Sequence, residues 1–224
     1  MDTYRTEEEQ VEAIKRWWQE NGKSTVFGIG LALALVFGWR GWQGHQQTQA
    51  AEASAIFDNL LLADNAVQRD GTSAGTAQHL ADSLKDQYAG LSYGQFAGLY
   101  NAKYAVQAGD YDAAVQELEW VLGQRPAAEI KAQAQMRLAQ VQFAQSDSDA
   151  AISSLNKLAD TSYAVQAEEL RGDILFTQGD KVGALAAYQK SKALAREQEV
   201  PSNNGLLDLK INDLLVAKST EGVK

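Results

Sequence analysis

The chain has 224 residues, enough for one domain of ordinary size plus an additional segment, and its net charge is −9. It contains no cysteine, which excludes a disulfide framework, a thiol nucleophile and a cysteine-based zinc site. Residues 1–44 carry a charge of −1 (5 basic, 6 acidic) and the rest carries −8 (15 basic, 23 acidic). The strongly acidic charge after residue 44 argues against nucleic-acid binding. The presence of only two prolines favours a helical protein.

The first predicted element after a leader, residues 1–21, is an apolar helix. Residues 24–39 carry no charge, and as a helix they would span about 24 Å, somewhat less than the ~30 Å hydrocarbon core of a bilayer. Trp39 and Trp42 suit the membrane interface, so the flanking residues can supply the missing length. We therefore predict a transmembrane anchor over residues 22–43.

Two other interpretations of this segment are weaker. A cleaved signal peptide needs a small-residue cleavage site soon after the apolar run, and the first such site, residues 53–55, lies too far downstream. A helix buried in a protein core would carry a polar stripe, whereas residues 24–39 are apolar or small on every side. A membrane anchor therefore remains the preferred interpretation.

Basic residues near the predicted span indicate its orientation. Lys15, Arg16 and Lys23 precede the apolar run, whereas only Arg40 follows it closely. Because basic residues concentrate on the cytoplasmic side, we predict a cytoplasmic N-terminus and an exported body. In a bacterium this corresponds to a single-pass protein of the inner membrane with its C-terminal domain in the periplasm.

A stripe of small residues follows one face of the predicted anchor. Gly30, Ala34 and Gly38 recur at i, i+4 and i+8, a spacing that lets the backbone of another helix approach closely. Glycine and alanine are also common in membrane helices that have no specific partner. The stripe is the candidate site for helix packing in the membrane.

Residues 44–95 are predicted to form a linker helix and a degenerate first helix pair. Residues 50–68 and 75–88 each place apolar side chains at helical spacing. The turn-forming residues 70–73 separate the two helices. This pair lacks the phrase that recurs further along the chain.

Residues 96–199 contain one phrase three times, which predicts three repeats. The copies read AGDYDAAVQEL, QSDSDAAISSL and QGDKVGALAAY, and their turns are offset by 37 and 33 residues. A period near 34 residues is typical of the paired helices of tetratricopeptide repeats. The longer interval predicts an extended loop near residues 123–129. Small residues are expected where the two helices of each pair cross, namely Ala102 and Ala114, Ala139 and Ala151, and Gly172 and Ala184.

Residues 200–224 are predicted to form a capping helix and a tail. Residues 201–205, with a proline and two asparagines, interrupt the helical pattern. An apolar stripe with a polar opposite face follows, as the end of a repeat array requires. The predicted fold class is all-α: an N-terminal transmembrane helix, then a tetratricopeptide-repeat-like α-solenoid with a C-terminal capping helix. The stripe consists of Leu207, Ile211, Leu214 and Leu215.

The sequence contains no pattern typical of catalysis or metal binding. His45 and His79 have no second ligand at metal-binding spacing. Glu168, Glu169 and Asp173 fall on one predicted helix and are interpreted as a solvated face. We therefore predict a protein that is not an enzyme and has neither a cofactor nor a metal site.

Repeat arrays of this kind bind partners through a concave surface lined by the first helix of each unit. Candidate groove contacts are therefore the predicted outward positions on these helices. They are Asn101, Tyr104, Gln107, Arg137, Gln140 and Arg171.

The leader TEEEQVEAIKRWWQENG and the apolar run after it resemble the YfgM family of proteobacterial inner-membrane proteins, and the similarity extends through most of the chain. The resemblance implies an ancillary subunit of the SecYEG translocon that associates with the periplasmic chaperone PpiD. It further implies a role in passing unfolded exported proteins to periplasmic chaperones. Two alternatives stay open: an envelope repeat scaffold for another inner-membrane complex, or a stress-response regulator that acts through the cytoplasmic leader.

Overall fold

A computed structural model describes residues 7–72, 74–199 and 204–221. The predicted leader, the turn at 70–73, the break at 201–205 and the tail therefore lie partly outside the described residues. The chain divides into two compact units after Glu52. The helices of the described residues are α1 (Glu7–Asp70), α2 (Ala74–Gln87), α3 (Ser92–Gln107), α4 (Tyr111–Gly123), α5 (Ala128–Ala144), α6 (Ser148–Asn156), α7 (Ala164–Thr177), α8 (Lys181–Glu197) and α9 (Asn204–Glu221).

The first unit consists of α1 up to Glu52. Every large apolar side chain within residues 26–37 is more than half exposed. Among the described residues, α1 is the helix that is long and apolar enough to cross a membrane. It has no break at residue 22 or 43, so the limits of the anchor stay a prediction.

The second unit is a series of helix pairs, which confirms the predicted all-α repeat fold. The end of α1 pairs with α2, and α3 with α4, α5 with α6 and α7 with α8 follow. Helices α3, α5 and α7 each contribute to two successive cores. Leu138 of α5, for example, packs with Leu118 of α4, whereas Met136 of the same helix packs with Leu155 of α6 and Ile174 of α7. The apolar core therefore runs continuously from pair to pair.

The repeated phrase forms the turn inside each of the three repeats. Asp110 caps α4 because its side chain accepts a hydrogen bond from the backbone N–H of Ala113 at 2.9 Å. Asp147 and Asp180 cap α6 and α8 in the same way. The residue before each cap has a left-handed backbone, with φ of 78° at Gly109, 65° at Ser146 and 84° at Gly179. The repeated phrase therefore encodes a tight turn followed by the N-cap of a helix.

The 37-residue interval reflects longer helices, and the prediction of an extended loop near residues 123–129 is wrong. Helices α4 and α5 have 13 and 17 residues, whereas α6 and α7 have 9 and 14. The connection between α4 and α5 is residues 124–127, shorter than the connection at 157–163. Ser153, Ser154 and Asn156 are weak helix formers, which is consistent with the early end of α6.

Helix α9 closes the array, as predicted. Leu207, Ile211 and Leu214 pack in one buried cluster with Ala184 and Tyr188 of α8. The sequence prediction of a polar outer face is wrong in part, because two further leucines of α9 are 51% and 64% exposed. Leu215, predicted to lie on the buried stripe, is 44% exposed, because the packed stripe of α9 is narrower than predicted. The two exposed leucines are Leu206 and Leu209.

The carboxylates of α7 are not simply solvated, contrary to the sequence interpretation. Glu168 is 7% exposed and pairs with Arg171 and Lys190. Lys210 of α9 lies 3.0 Å from a carboxylate oxygen of Glu169 and 2.8 Å from one of Asp173. Two of the three acidic side chains therefore hold the capping helix on α7, a role that only the folded arrangement reveals.

The left-handed turns allow a prediction with an internal control. Ser146 occupies a conformation that costs an L-residue roughly 1–2 kcal/mol and glycine much less. We expect Ser146→Gly to stabilise the full chain by up to about 1 kcal/mol, partly offset by the flexibility of glycine when unfolded. Gly109→Ser, at the equivalent turn, should destabilise it by a similar amount. Urea denaturation in detergent micelles measures both changes in the free energy of unfolding, which should have opposite signs. Equal midpoints for wild type and the two variants would contradict the assigned role of the left-handed turns.

Candidate functional site

A cleft of about 720 Å³ opens in the second unit between α3 and α5. The last part of α1 and the first part of α4 complete its lining. Its volume lies within the roughly 300–1,000 Å³ that is usual for ligand pockets. Apolar and aromatic side chains form most of the surface, among them Phe57, Phe96, Leu99, Tyr100, Val106 and Tyr111.

The repeat relation explains which side chains line the two long walls. Residues of α3 correspond to residues of α5 through the 37-residue offset of the repeats. On each helix the lining residues include positions i, i+4, i+7 and i+11, which lie on one face. The corresponding pairs are Phe96 and Gln133, Tyr100 and Arg137, Lys103 and Gln140, and Gln107 and Ala144.

Half-buried aromatic rings surround Phe57, which lines the cleft. Its ring centroid lies 5.8 Å from that of Phe96, 6.0 Å from that of Tyr100 and 5.6 Å from that of Tyr93. These separations are within the range of favourable ring pairs. The packed rings therefore give the cleft an apolar floor in which Phe57 is held by its three neighbours.

Lys103 also lines the cleft, but its charge already has a partner. Asp64 of α1 is 7% exposed, and its carboxylate oxygens lie 2.7 and 2.8 Å from Lys103 Nζ. The Tyr104 hydroxyl donates a hydrogen bond to the same carboxylate at 3.0 Å. Burial, with the nearby Asp64 charge, raises the pKa of Tyr104 and of Tyr100, so both phenols stay neutral near neutral pH. This network joins α3 to the end of α1.

Arg137 is the cation of the opposite wall and is exposed. Its Nη1 donates a hydrogen bond to Gln140 Oε1 at 3.1 Å. Within the part of the chain that the structure describes, Arg137 forms no ion pair. Gln107 and Gln133 add further amide groups to the lining. The cleft therefore combines an apolar floor with amides and one uncompensated positive charge.

The structure places three of the six candidate groove residues in this cleft: Gln107, Arg137 and Gln140. Whether they contact a partner stays a prediction. The other three have internal roles. Tyr104 binds Asp64, as described above, and Arg171 donates a hydrogen bond to Asn156 at 2.8 Å.

The predicted outward position of Asn101 is wrong. Its side chain is 5% exposed, and its Nδ2 donates a hydrogen bond to Asp82 of α2 at 2.7 Å. Asn101 follows Tyr100 directly, so it is rotated by about 100° from the row of side chains that lines the cleft. It therefore faces the neighbouring helix pair.

Sequence reasoning missed the aromatic floor. One helical stripe of α3 indicates part of this lining in the sequence. It consists of Phe96, Tyr100 and Lys103, which recur at i, i+4 and i+7. Phe57 gave no such signal, because it lies in the preceding helix pair and reaches the cleft only through the fold.

The two histidines and the small-residue stripe of the predicted anchor have few neighbouring side chains. His45 and His79 are exposed, and no cluster of three or more possible metal ligands occurs within the described residues. A methyl group added to Gly30 or Gly38 would meet no other side chain of the described residues within 4 Å, and Ala34 is exposed. The small-residue stripe of the anchor is thus open to a partner helix, and its packing stays a prediction.

Comparisons with known proteins cover nearly the entire chain. The family model described as a tetratricopeptide repeat-like domain matches residues 15–216. A protein named "Ancillary SecYEG translocon subunit" from Escherichia coli (strain K12) is 32% identical over 96% of this chain and 100% of its own length. Proteins with the same name from Haemophilus influenzae and Aggregatibacter actinomycetemcomitans are 33% and 31% identical, each over 93% of this chain and 97% of their own length.

Proposed function

The chain belongs to the YfgM family of ancillary SecYEG translocon subunits, and on this premise we propose that it is a membrane-anchored accessory subunit of the SecYEG translocon. The observation that carries the proposal is the match to relatives of that name along almost the full chain. The family match begins at residue 15 and so includes the apolar part of α1 as well as the repeats. The role is one of binding and positioning, without catalysis.

The first unit anchors the protein in the inner membrane. Its apolar side chains are exposed all around the helix, an arrangement that is stable in lipid and unfavourable in water. Three basic residues precede the apolar run and one follows it closely, which supports a cytoplasmic N-terminus. The repeat body then lies in the periplasm, on the side where exported chains emerge.

The second unit provides the interaction surface. Its cleft is lined mainly by apolar and aromatic side chains, which suits contact with a polypeptide that has not yet buried its own apolar residues. The body associates with the periplasmic chaperone PpiD and helps to hand exported proteins to periplasmic chaperones. The lining of the cleft and the predicted orientation of the body support contact with exported proteins, and the family resemblance implies the association with PpiD.

The predicted orientation can be tested by protease accessibility. In spheroplasts, added protease should degrade the region after residue 44 while an epitope tag on the leader stays intact. The lipid bilayer is the physical reason, because it shields the cytoplasmic segment. Detergent lysis serves as the control and should expose the tag. Loss of the tag in intact spheroplasts with survival of the body would contradict the orientation.

The second prediction concerns capture of the translocon through the small-residue face. Wild-type chain purified from detergent-solubilised membranes should retain SecYEG. Gly30→Leu combined with Gly38→Leu should recover less of it, because larger side chains hold two packed helices apart. Ala32→Leu with Val36→Leu, on the opposite face of α1, is the control and should recover the wild-type amount.

Two results of this purification would each overturn a different part of the proposal. Absence of SecYEG from the wild-type preparation would overturn the proposed translocon role. Equal recovery by both double variants and wild type would overturn only the packing of the small-residue face. Periplasmic partners should be retained by all three proteins, because the substitutions leave the second unit unchanged.

A further inference from the structure

The cleft between α3 and α5 has a lining specific enough to identify the chemistry of its occupant. We infer that it binds an apolar polypeptide segment that carries an acidic side chain next to its apolar residues. The inference rests on the proposed function and defines which segments of a partner or exported chain the body would hold. It follows from three properties of the lining.

The first property is an ordered apolar surface that the chain itself leaves uncovered. The ring of Phe57 is held among three neighbouring rings, and Val106 is 38% exposed. The volume of about 720 Å³ is large enough for several apolar side chains of a partner. Burial of such side chains supplies the main driving force for binding.

The second property is a set of amides beside the apolar surface. Gln107, Gln133 and Gln140 line the cleft, and each side-chain amide carries both a donor and an acceptor, with the Gln140 oxygen already accepting from Arg137. The N–H and C=O groups of a bound polypeptide need such partners when they leave water. A purely hydrocarbon ligand would use none of them. The amides therefore favour a polypeptide over a lipid tail.

The third property is a single uncompensated cation. Asp64 neutralises Lys103, so the α3 wall presents no free charge. Arg137 on the α5 wall has only Gln140 as a hydrogen-bond partner among the described residues. A guanidinium at the edge of an apolar surface pairs well with a carboxylate and opposes lysine or arginine at the same position. This asymmetry selects an acidic neighbour for the apolar segment.

The test uses the full chain in detergent micelles and three fluorescent peptides. The peptides share one sequence rich in leucine and phenylalanine, and a single position is aspartate, asparagine or lysine. We expect wild-type chain to bind the aspartate peptide about fivefold more tightly than the lysine peptide, with the asparagine peptide between them. Fluorescence anisotropy gives the three dissociation constants.

Matched variants assign the selectivity to its residue. In Arg137→Gln the three peptides should bind with similar affinity, and in Arg137→Glu the order should reverse. Arg196→Gln removes an exposed arginine of α8 outside the cleft and should keep the wild-type order. Arg137 is exposed, so its replacement should preserve the fold, which the urea midpoint of each variant verifies.

Each alternative result has a definite meaning. Equal binding of the three peptides to wild type would overturn the acidic preference, and no binding would overturn the peptide site. Wild-type chain that dimerises, with Arg137→Glu monomeric, would identify a second copy of the chain as the occupant and overturn the inference. SecYEG recovery in the purification above is independent of these results, so failure of the cleft and failure of the translocon role are distinguishable.

Discussion

The close approach of two helix backbones within each repeat is the constraint on which the second unit depends. In the central repeat Ala139 and Ala151 have no exposed surface and lie in one core cluster. In the last repeat, a methyl group added to Gly172 would lie 2.3 Å from the ring of Tyr188. Because small residues occupy these positions, large side chains such as Leu118 and Leu155 are free to fill the space between successive pairs. The first helices of the repeats consequently lie side by side, and the cleft is the groove that this stacking leaves between α3 and α5.

The two units satisfy opposite physical demands. The first unit exposes its apolar side chains and has no core of its own among the described residues, so its stability depends on a surrounding medium or partner. The second unit buries its apolar side chains in a continuous core and leaves an apolar cleft with one uncompensated arginine. An anchor with a small-residue face and a body with an apolar cleft together suit the proposed role, in which the protein stays near a membrane channel and binds emerging chains.

The repeat fold could be predicted because its turns and helix caps depend on local sequence. An aspartate that caps a helix after a left-handed residue has the same effect wherever it occurs, so three copies of one phrase predicted three turns correctly. The errors concern properties set by neighbours in space. Asn101 is buried because of its rotation toward α2, and the 37-residue interval depends on where α4 and α6 end. Three of the six candidate groove residues line the cleft, and all three lie on α3 or α5, whereas Phe57 reaches the cleft from another helix pair.

We propose that the cleft contacts exported chains, and site-specific photo-crosslinking can detect such contacts. A photoreactive residue would replace Tyr100 in the cleft or Glu119 on the exposed face of α4, in membranes that are translocating a labelled exported protein. We expect crosslinks to the exported protein from position 100 and few or none from position 119. Crosslinks from position 119 with none from position 100 would contradict it.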